Sequence, residues 1–286
     1  MRLEEEGSGT GGQGQFLTPI LVQYQAILDT ATSLSLNTLL DCEREPQPLK
    51  NVLQLVLFDL DDTLFDHQHS RRCGLLALQH AYPLLAQIPL ETLITEHERQ
   101  LTASYDRVLD GTVSIQTNRL ERFRRMFRDC GVELSGAEAE RAMHVYRRAY
   151  EAHRRAVPGV LPLVAYLKPR VRLGVVTNGL TAVQQEKLVV CQLEGFVDFL
   201  LTSEEVGAKK PDPRLFHLAL EQGHARSETA VVIGDSWALD VLGAHHAGIR
   251  SIWLNRGQEP CPDARLTTEL SAFEPLENAL KALEAT

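Results

Sequence analysis

The chain has 286 residues and a net charge of −9, and 44% of its residues are hydrophobic while 23% are charged. This balance is typical of a globular protein with a buried core, and it excludes a collagen-like, disulfide-scaffold or largely disordered chain. A uniformly acidic chain gains nothing from counterion release on a nucleic acid polymer, so the charge argues against such a partner.

The sequence also argues against a membrane or secreted location. No apolar run approaches the roughly 18 residues of a membrane span. The acidic, glycine-rich start lacks the cationic and apolar regions of a secretion signal. The five cysteines are odd in number, scattered and without a C-x-x-C pair, which predicts reduced thiols. We therefore expect a cytoplasmic protein that is a monomer or a homodimer.

Residues 1–50 predict an N-terminal extension. Residues 1–14 are rich in glycine, serine and glutamate and cannot bury apolar surface. From Phe16 to about Leu40, apolar side chains recur at helical spacing and predict an amphipathic helix, which packs on the same chain or forms a dimer contact. The side chains of this stripe are Leu17, Ile20, Leu21, Tyr24, Ile27 and Leu28.

Short apolar runs separated by helical segments predict a Rossmann-like, doubly wound parallel α/β sheet. The run Val52–Leu60 is too apolar for a half-exposed strand and predicts a central strand buried on both faces. Later runs with the same character are Val171–Thr177, Phe199–Thr202, Ala230–Ile233 and Ser251–Leu254. Helical segments between them are Ala182–Cys191, Pro213–Glu221 and Ala238–Ala247.

Residues 67–156 show helix signals and no strand pattern. Ser135 and Glu138, for example, form the signature of a capping box. We predict an all-helical cap inserted into a catalytic core that comprises residues 51–66 and 157–286. An insertion after the first strand lies above the carboxyl edge of the sheet, where open α/β sheets bind their ligands.

Three acidic residues, Asp59, Asp61 and Asp62, follow the first strand within four positions. Carboxylates gathered at the end of a buried strand repel one another and favour the binding of a cation. Oxygen ligands of this kind suit Mg²⁺. Taken alone, the motif is equally compatible with a polar strand exit in which an aspartate caps a helix.

Polar residues also follow the later strands. Thr177 and Asn178 follow the second strand and are suited to binding an anion, while Asp235 and Asp240 follow the fourth. Lys210 stands just before a helix start. Because the carboxyl ends of parallel strands meet at one edge, we expect these groups to converge. Acidic residues, a divalent cation and a lysine form a site that handles phosphoryl groups, in which one carboxylate can be the nucleophile and another the general acid and base.

Four motifs in this order resemble those of the haloacid dehalogenase-like (HAD) superfamily. They are DLDDT at 59–63, TNG at 177–179, KPDP at 210–213 and GDSWALD at 234–240. The resemblance covers about Val52 to Arg256, and the helical insert resembles the C1 cap of that family. The segment Thr177–Leu218 is most similar to pyrimidine 5′-nucleotidases and related small-molecule phosphatases.

The resemblance implies a role for each matching residue. Asp59 is expected to be the nucleophile that forms an aspartyl-phosphate. Asp61 is expected to protonate the leaving oxygen and then to activate water. Thr177 and Asn178, with nearby backbone amides, are expected to bind the phosphoryl oxygens of the substrate. Lys210 is expected to neutralise charge on the nucleophile and the phosphoryl group.

The resemblance also implies bound Mg²⁺. Its expected ligands are the Asp59 carboxylate, the main-chain carbonyl of Asp61 and the Asp235 carboxylate, with Asp240 in support directly or through water. Asp62 is expected to be structural. Dehalogenases of the superfamily lack the second acid of the first motif, so Asp61 favours phosphoryl transfer over carbon–halogen displacement.

We therefore predict a Mg²⁺-dependent phosphomonoesterase that acts on a small phosphate ester. Nucleoside monophosphates are the first candidate substrates, and sugar or glycolate phosphates are the next. One alternative is a phosphomutase of the same superfamily. An alternative of a different class is a phospho-acceptor regulatory domain, although that class explains neither the helical insert nor Asp61.

Two groups of residues in the insert bear on the substrate. Five arginines share one predicted helix and form either a solvated face or a surface that attracts an anionic substrate. These are Arg119, Arg122, Arg124, Arg125 and Arg128. His67 and His69 follow the first motif and either contact the substrate or are structural. The sequence favours a solvated face for the arginines and a role away from the substrate for the histidines.

Overall fold

The computed structural model describes residues 53–109 and 111–285. The predicted N-terminal extension and its amphipathic helix lie outside the described residues. Within the described residues, no helix combines the length and the apolar character needed to span a membrane. Four described cysteines are free thiols: Cys73, Cys130, Cys191 and Cys261.

A six-stranded parallel sheet forms the centre of the described chain. Its strands are β1 (Leu55–Phe58), β2 (Arg172–Thr177), β3 (Phe199–Thr202), β4 (Ala230–Gly234), β5 (Arg250–Leu254) and β6 (Thr267–Leu270). Their order is β3-β2-β1-β4-β5-β6, and β1 pairs in parallel with both β2 and β4. Every residue of β1 and β4 is buried, as expected for central strands covered on both faces. The predicted doubly wound sheet is confirmed.

Helices follow the strands and also fill the insert after β1. They are α1 (His67–Ala81), α2 (Leu90–Leu109), α3 (Ile115–Asp129), α4 (Gly136–Ala152), α5 (Val160–Leu167), α6 (Thr181–Val190), α7 (Ser203–Val206), α8 (Pro213–Gly223), α9 (Leu242–His246) and α10 (Leu276–Glu284). Short 3₁₀ turns occupy Pro83–Leu85 and Ser227–Thr229, and a π-helical turn occupies Trp237–Val241. The helices α1 to α4 lie in the insert.

Alternation along β1 divides the core between the two faces of the sheet. Val56 and Phe58 pack with α5, α6 and α10, whereas Leu55 and Leu57 pack with α7, α8 and α9. Because successive side chains of a strand point to opposite faces, four apolar residues in a row supply both layers. The site at the strand ends therefore rests on a sheet that is anchored from both sides.

The helices of the insert bury a hydrophobic cluster of their own. Its fully buried members include Leu75, Leu78 and Phe123, which come from α1 and α3. The predicted capping box is confirmed: the Ser135 hydroxyl accepts from the backbone N–H of Glu138, and the Glu138 carboxylate accepts from the backbone N–H of Ser135. The insert therefore has internal packing that is separate from the layers on the sheet.

Three predicted elements differ from the structure. Among the described residues, the strand predicted over Val52–Leu60 spans Leu55–Phe58. The backbone N–H of Asp59 still donates to the Ile233 carbonyl at 2.9 Å, and the acidic motif turns after that bond. The helix predicted over Ala238–Ala247 begins instead with the π-helical turn at Trp237. The edge strand β6 was not predicted, because its sequence TTEL is short, polar and half-exposed.

Two chain segments that cross between the sheet domain and the insert lie side by side. Phe65 forms an antiparallel bridge with Ala156. The Asp66 carboxylate is completely buried and accepts hydrogen bonds from Arg155 at 2.8 and 3.0 Å and from Arg256 at 3.0 Å. Burial alone would raise the pKa of Asp66, but the hydrogen bonds from the two arginines hold it below its ordinary value.

Replacing Asp66 with asparagine should destabilise the protein by about 1–3 kcal/mol, because hydrogen bonds between charged groups are lost around a buried carboxyl. Because the guanidinium of Arg155 is exposed, we expect a destabilisation toward the lower end of this range. Thermal unfolding at neutral pH measures it. The control is Asp263→Asn, which removes an exposed pair with Arg265 and should leave the melting temperature unchanged.

The stabilisation by Asp66 should also depend on pH. Its pKa in the folded protein lies below the ordinary value of 3.8, so the contribution is present above that value and is lost as the pH falls through the folded pKa. The stability difference between wild type and Asp66→Asn should therefore shrink in acid. A difference that stays constant between pH 7 and pH 3 would contradict this account.

Candidate active site

The predicted acidic residues and lysine meet at the carboxyl edge of β1 and β4. The ammonium of Lys210 lies 2.5 Å from Asp59 Oδ1 and 2.7 Å from Asp240 Oδ1. The three residues are 3%, 7% and 2% exposed. Buried charges are tolerated when they are paired and hydrogen-bonded, and this cluster meets that condition. It places the predicted nucleophile against a cation.

A third carboxylate completes the acidic cluster. One oxygen each of Asp59, Asp235 and Asp240 lies within 4.8 Å of the others. The backbone of Asp235 is fixed on both sides, because its N–H donates to the Thr63 hydroxyl at 3.1 Å and its carbonyl accepts from the Trp253 indole at 2.8 Å. The sheet and the DLDDT motif together therefore hold the three carboxylates near one point.

The electrostatics of this cluster favour a bound cation. Burial raises the pKa of Asp59 to about 7, against the opposing effect of Lys210. Burial raises the pKa of Asp235 well above its ordinary value, and the neighbouring carboxylates of Asp59 and Asp240 add to the effect. Three clustered carboxylates that share one ammonium retain excess negative charge. This oxygen-rich donor set fits a hard divalent cation such as Mg²⁺.

Gly234 gives Asp240 access to the cluster. A Cβ atom at Gly234 would lie 2.3 Å from Cγ of Asp240. The π-helical turn brings Asp240 back toward the strand end, where its second oxygen accepts from the backbone N–H of Ser236 at 3.0 Å. Both oxygens of Asp240 therefore accept hydrogen bonds, one from Ser236 and one from Lys210.

Asp61 lies in a second polar cluster beside the first. The ammonium of Lys187 is 2.7 Å from each of its carboxylate oxygens, and the Gln184 amide donates to it at 3.1 Å. The same amide donates to the Thr177 hydroxyl at 2.7 Å. Burial raises the pKa of Asp61, but Lys187 and His67 outweigh it and hold the pKa below the ordinary value.

Gln184 and Lys187 belong to this second cluster although no predicted site included them. Their signal is a spacing of three residues on a helix that begins just after the TNG motif, which places both side chains on one helix face. That pattern identifies a polar face but not what the face meets. The contact with Asp61 depends on how α6 packs beside β1.

Asn178 connects the second and third motifs. Its side-chain carbonyl accepts from the backbone N–H of Lys210 at 2.8 Å, and its amide donates to the backbone carbonyl of Lys210 at 3.2 Å. Thr177 is 1% exposed and points its hydroxyl toward Gln184. Asn178 thus positions the lysine loop with both ends of its amide, and its predicted contact with substrate stays a prediction.

Residues of the insert lie over Asp61. The His67 ring is 2.8 Å from the Tyr150 hydroxyl through Nδ1. Burial lowers the pKa of His67 to about 4, although the charge of Asp61 opposes the shift. His69 lies instead against His153, with a ring separation of 6.3 Å. Of the two histidines, His67 is therefore the one close to the acidic motif.

The arginines predicted to share a helix do not form one solvated face. Arg122 is buried inside the insert, whereas Arg124 and Arg128 are exposed. Two residues of the four motifs, Asp62 and Trp237, make structural contacts. The Asp62 carboxylate accepts from the backbone N–H of Gln68 at 2.7 Å, and Trp237 packs edge-to-face on Trp253 with ring centroids 5.3 Å apart.

The motifs and their geometry agree with comparisons to known proteins. Residues 53–248 match the profile of the haloacid dehalogenase-like hydrolases. The chain belongs to this family. A HAD hydrolase from Bacillus subtilis, YfnB, shows the same fold in a crystal structure with bound magnesium that reveals interdomain movement. The two are 24% identical, with a TM-score of 0.60, and the match covers 80% of this chain and 98% of YfnB.

Two relatives of this HAD-family chain carry named activities. A glyceraldehyde 3-phosphate phosphatase of Methanothermobacter thermautotrophicus is 32% identical over 212 residues, which cover 71% of this chain and 86% of the relative. The pyrimidine 5′-nucleotidase YjjG of Escherichia coli is 34% identical over 126 residues. That second match covers 43% of this chain and 56% of YjjG.

Replacing Gly234 with alanine should destabilise the HAD-family site. The added methyl group must displace the Asp240 carboxylate and disturb its pair with Lys210, and overpacking of a buried position typically costs about 1–3 kcal/mol. Thermal unfolding measures the change. The control is Gly195→Ala, where the new methyl group meets no atom within 4 Å. Equal melting temperatures for the two variants would show that a methyl group at position 234 fits beside Asp240 without a loss of stability.

Proposed function

We propose that this protein is a Mg²⁺-dependent phosphomonoesterase that hydrolyses a small phosphate ester through an aspartyl-phosphate. The observation that carries the proposal is the buried ammonium of Lys210 between Asp59 and Asp240, with Asp235 beside them. Such a cluster binds a dianionic phosphoryl group only when a cation offsets the carboxylates. The named phosphatase activities of two relatives support the same reaction class.

Asp59 is the nucleophile in this proposal. Its carboxylate attacks phosphorus, and the bond from phosphorus to the leaving oxygen breaks as the aspartyl-phosphate forms. Lys210 fixes one oxygen of Asp59 and reduces the repulsion between the nucleophile and the phosphoryl group. The Thr177 hydroxyl accepts from Gln184, so its own hydrogen is directed elsewhere and can be donated to a phosphoryl oxygen.

Asp61 handles the proton in both halves of the reaction. To donate a proton to the leaving oxygen in the first half, Asp61 has to be protonated; Lys187 favours its ionised form, and the negative charge of a bound phosphoryl group opposes that effect. In the second half the Asp61 carboxylate removes a proton from the water that attacks the aspartyl-phosphate. Lys187 and Gln184 hold its carboxylate in place. A phospho-acceptor regulatory domain has no need for such a group, and the match to a hydrolase family also speaks against that alternative.

Three residues would hold Mg²⁺ through oxygen atoms: Asp59 and Asp235 by their carboxylates, and Asp61 by its main-chain carbonyl. Asp240 would act through water or through Lys210, because both of its oxygens already accept hydrogen bonds. When bound, the ion neutralises charge on the phosphoryl oxygens and the nucleophile.

We also propose that residues 67–156 form the cap that covers this site. The contact between His67 and Tyr150 lies near Asp61, and the crossing segments meet at Asp66. The cap selects the substrate in this view. Nucleoside monophosphates and sugar or glycolate phosphates are both candidates, consistent with the named activities of the relatives.

Removal of the metal should abolish activity. If Mg²⁺ offsets the clustered carboxylates, excess EDTA should stop phosphate release from p-nitrophenyl phosphate, and added Mg²⁺ should restore it. Ca²⁺ should restore it poorly, because its longer and more numerous bonds misplace the nucleophile. Steady-state phosphate release measures all three. Full activity in excess EDTA would disprove the metal assignment.

Substitutions of the two first-motif acids should have different effects. Asp59→Asn should abolish turnover and the trapped aspartyl-phosphate, because the nucleophile is lost. Asp61→Asn should slow turnover by about 10²–10⁴-fold, and most for alkyl phosphates with poor leaving groups. The control is Asp129→Asn, which alters a surface pair with Arg99 and should retain the wild-type rate. A wild-type rate for Asp61→Asn on alkyl phosphates would place the general acid elsewhere.

A further inference from the structure

Lys187 has a donor that its described contacts do not use. Its ammonium lies 2.7 Å from each oxygen of Asp61, and these contacts occupy at most two of its three N–H groups. Among the residues that the structure describes, no other acceptor lies within hydrogen-bond distance of this nitrogen. The Phe65 ring is centred 5.3 Å from it and is a weaker partner than an anion. At least one N–H therefore remains for a ligand.

Lys187 lies close to the place where the leaving group of the substrate would bind. In the proposed reaction the Asp61 carboxyl contacts the leaving oxygen. The ammonium of Lys187 is one further hydrogen bond away, so it lies within roughly 5–6 Å of that oxygen. A group attached two or three bonds beyond the ester oxygen therefore reaches this ammonium, while the phosphoryl group stays at Asp59.

The surroundings of Lys187 favour an anion. Its side chain is 12% exposed, so a charge interaction there is screened less by solvent than one at the surface. Burial has the largest effect on the pKa of His67 and lowers it, the charge of Asp61 comes next and raises it, and the charges of Lys187, Arg71 and Arg122 lower it. Lys187 from the core and the two arginines from the insert thus add positive potential to the region around His67, next to Asp61.

We propose that Lys187 recognises the leaving group, and that the substrate carries a second anion two or three bonds from its ester oxygen. This inference rests on the proposed phosphomonoesterase activity and narrows its substrate class. It favours phosphorylated acids and bisphosphates over nucleoside monophosphates, whose leaving group is neutral. A carboxylate and a second phosphate share the required charge, so the test includes both.

Matched substrate pairs test the proposal on the full chain with Mg²⁺. One pair is phosphoglycolate and ethyl phosphate, which differ by a carboxylate. The other is ethylene glycol bisphosphate and 2-hydroxyethyl phosphate, which differ by a phosphate. The wild-type kcat/KM should be at least about tenfold higher for the charged member of one pair, the size expected for a hydrogen bond between charged groups.

Variants of Lys187 should change the ratio of kcat/KM between the charged and the uncharged member of a pair. Lys187→Gln should reduce it toward one, even if the disturbance of Asp61 also lowers the rates on both substrates. Lys187→Arg should retain most of the ratio because it keeps the charge. The control is Lys168→Gln, which removes an ion pair with Asp198 and should keep the wild-type ratio. Thermal unfolding checks that each variant is folded.

Each outcome has a separate meaning. A wild-type ratio near one for both pairs overturns the inference without any variant. If Lys187→Gln lowers kcat/KM by the same factor for both members of a pair, the inference is also overturned, because Lys187 then acts only on Asp61. The proposed phosphatase activity still stands in that case. If wild type releases no phosphate from any of these esters or from p-nitrophenyl phosphate, the proposed function itself fails.

Discussion

The pairing of one buried ammonium with two buried carboxylates governs the rest of this structure. Lys210 lies between Asp59 and Asp240 with almost no access to solvent. Removing Lys210 would leave two buried carboxylates without their partner, which is far more costly than losing a surface ion pair. The strand ends, the loop before α8 and the π-helical turn therefore have to deliver their side chains to one place.

Backbone features make that delivery possible. The paired strands β1 and β4 end within one residue of each other, because Phe58 lies opposite Ile233 and β4 continues only to Gly234, so Asp59 and Asp235 follow neighbouring strand ends. Asn178 holds the lysine loop through two hydrogen bonds to the backbone of Lys210. Gly234 leaves room for the Asp240 carboxylate where a methyl group would collide with it. The first two features join segments that are distant in the sequence, and together the three hold the side chains of the site in place.

The sequence was sufficient to predict the sheet and the acidic cluster, because the residues at parallel strand ends share one edge. Asp59 and Asp235 could be brought together by that rule alone, whereas Lys210 precedes a helix and is assigned to the site from its motif. Lys187 could not be assigned in either way, because its contact with Asp61 depends on the rotation of α6 against the sheet, which no local pattern encodes. The edge strand β6 escaped prediction for another reason: its four residues carry almost no apolar signal.

The side-by-side crossing at Phe65 and Ala156 has a consequence for how such proteins diversify. The backbones that enter and leave the insert are already bridged, and the Asp66 carboxylate fastens one crossing segment to the other and to Arg256. A short turn could close this gap without moving any strand. The bridge would therefore allow the insert to change in length and in its helices while the strands and the acidic cluster beneath it keep their places.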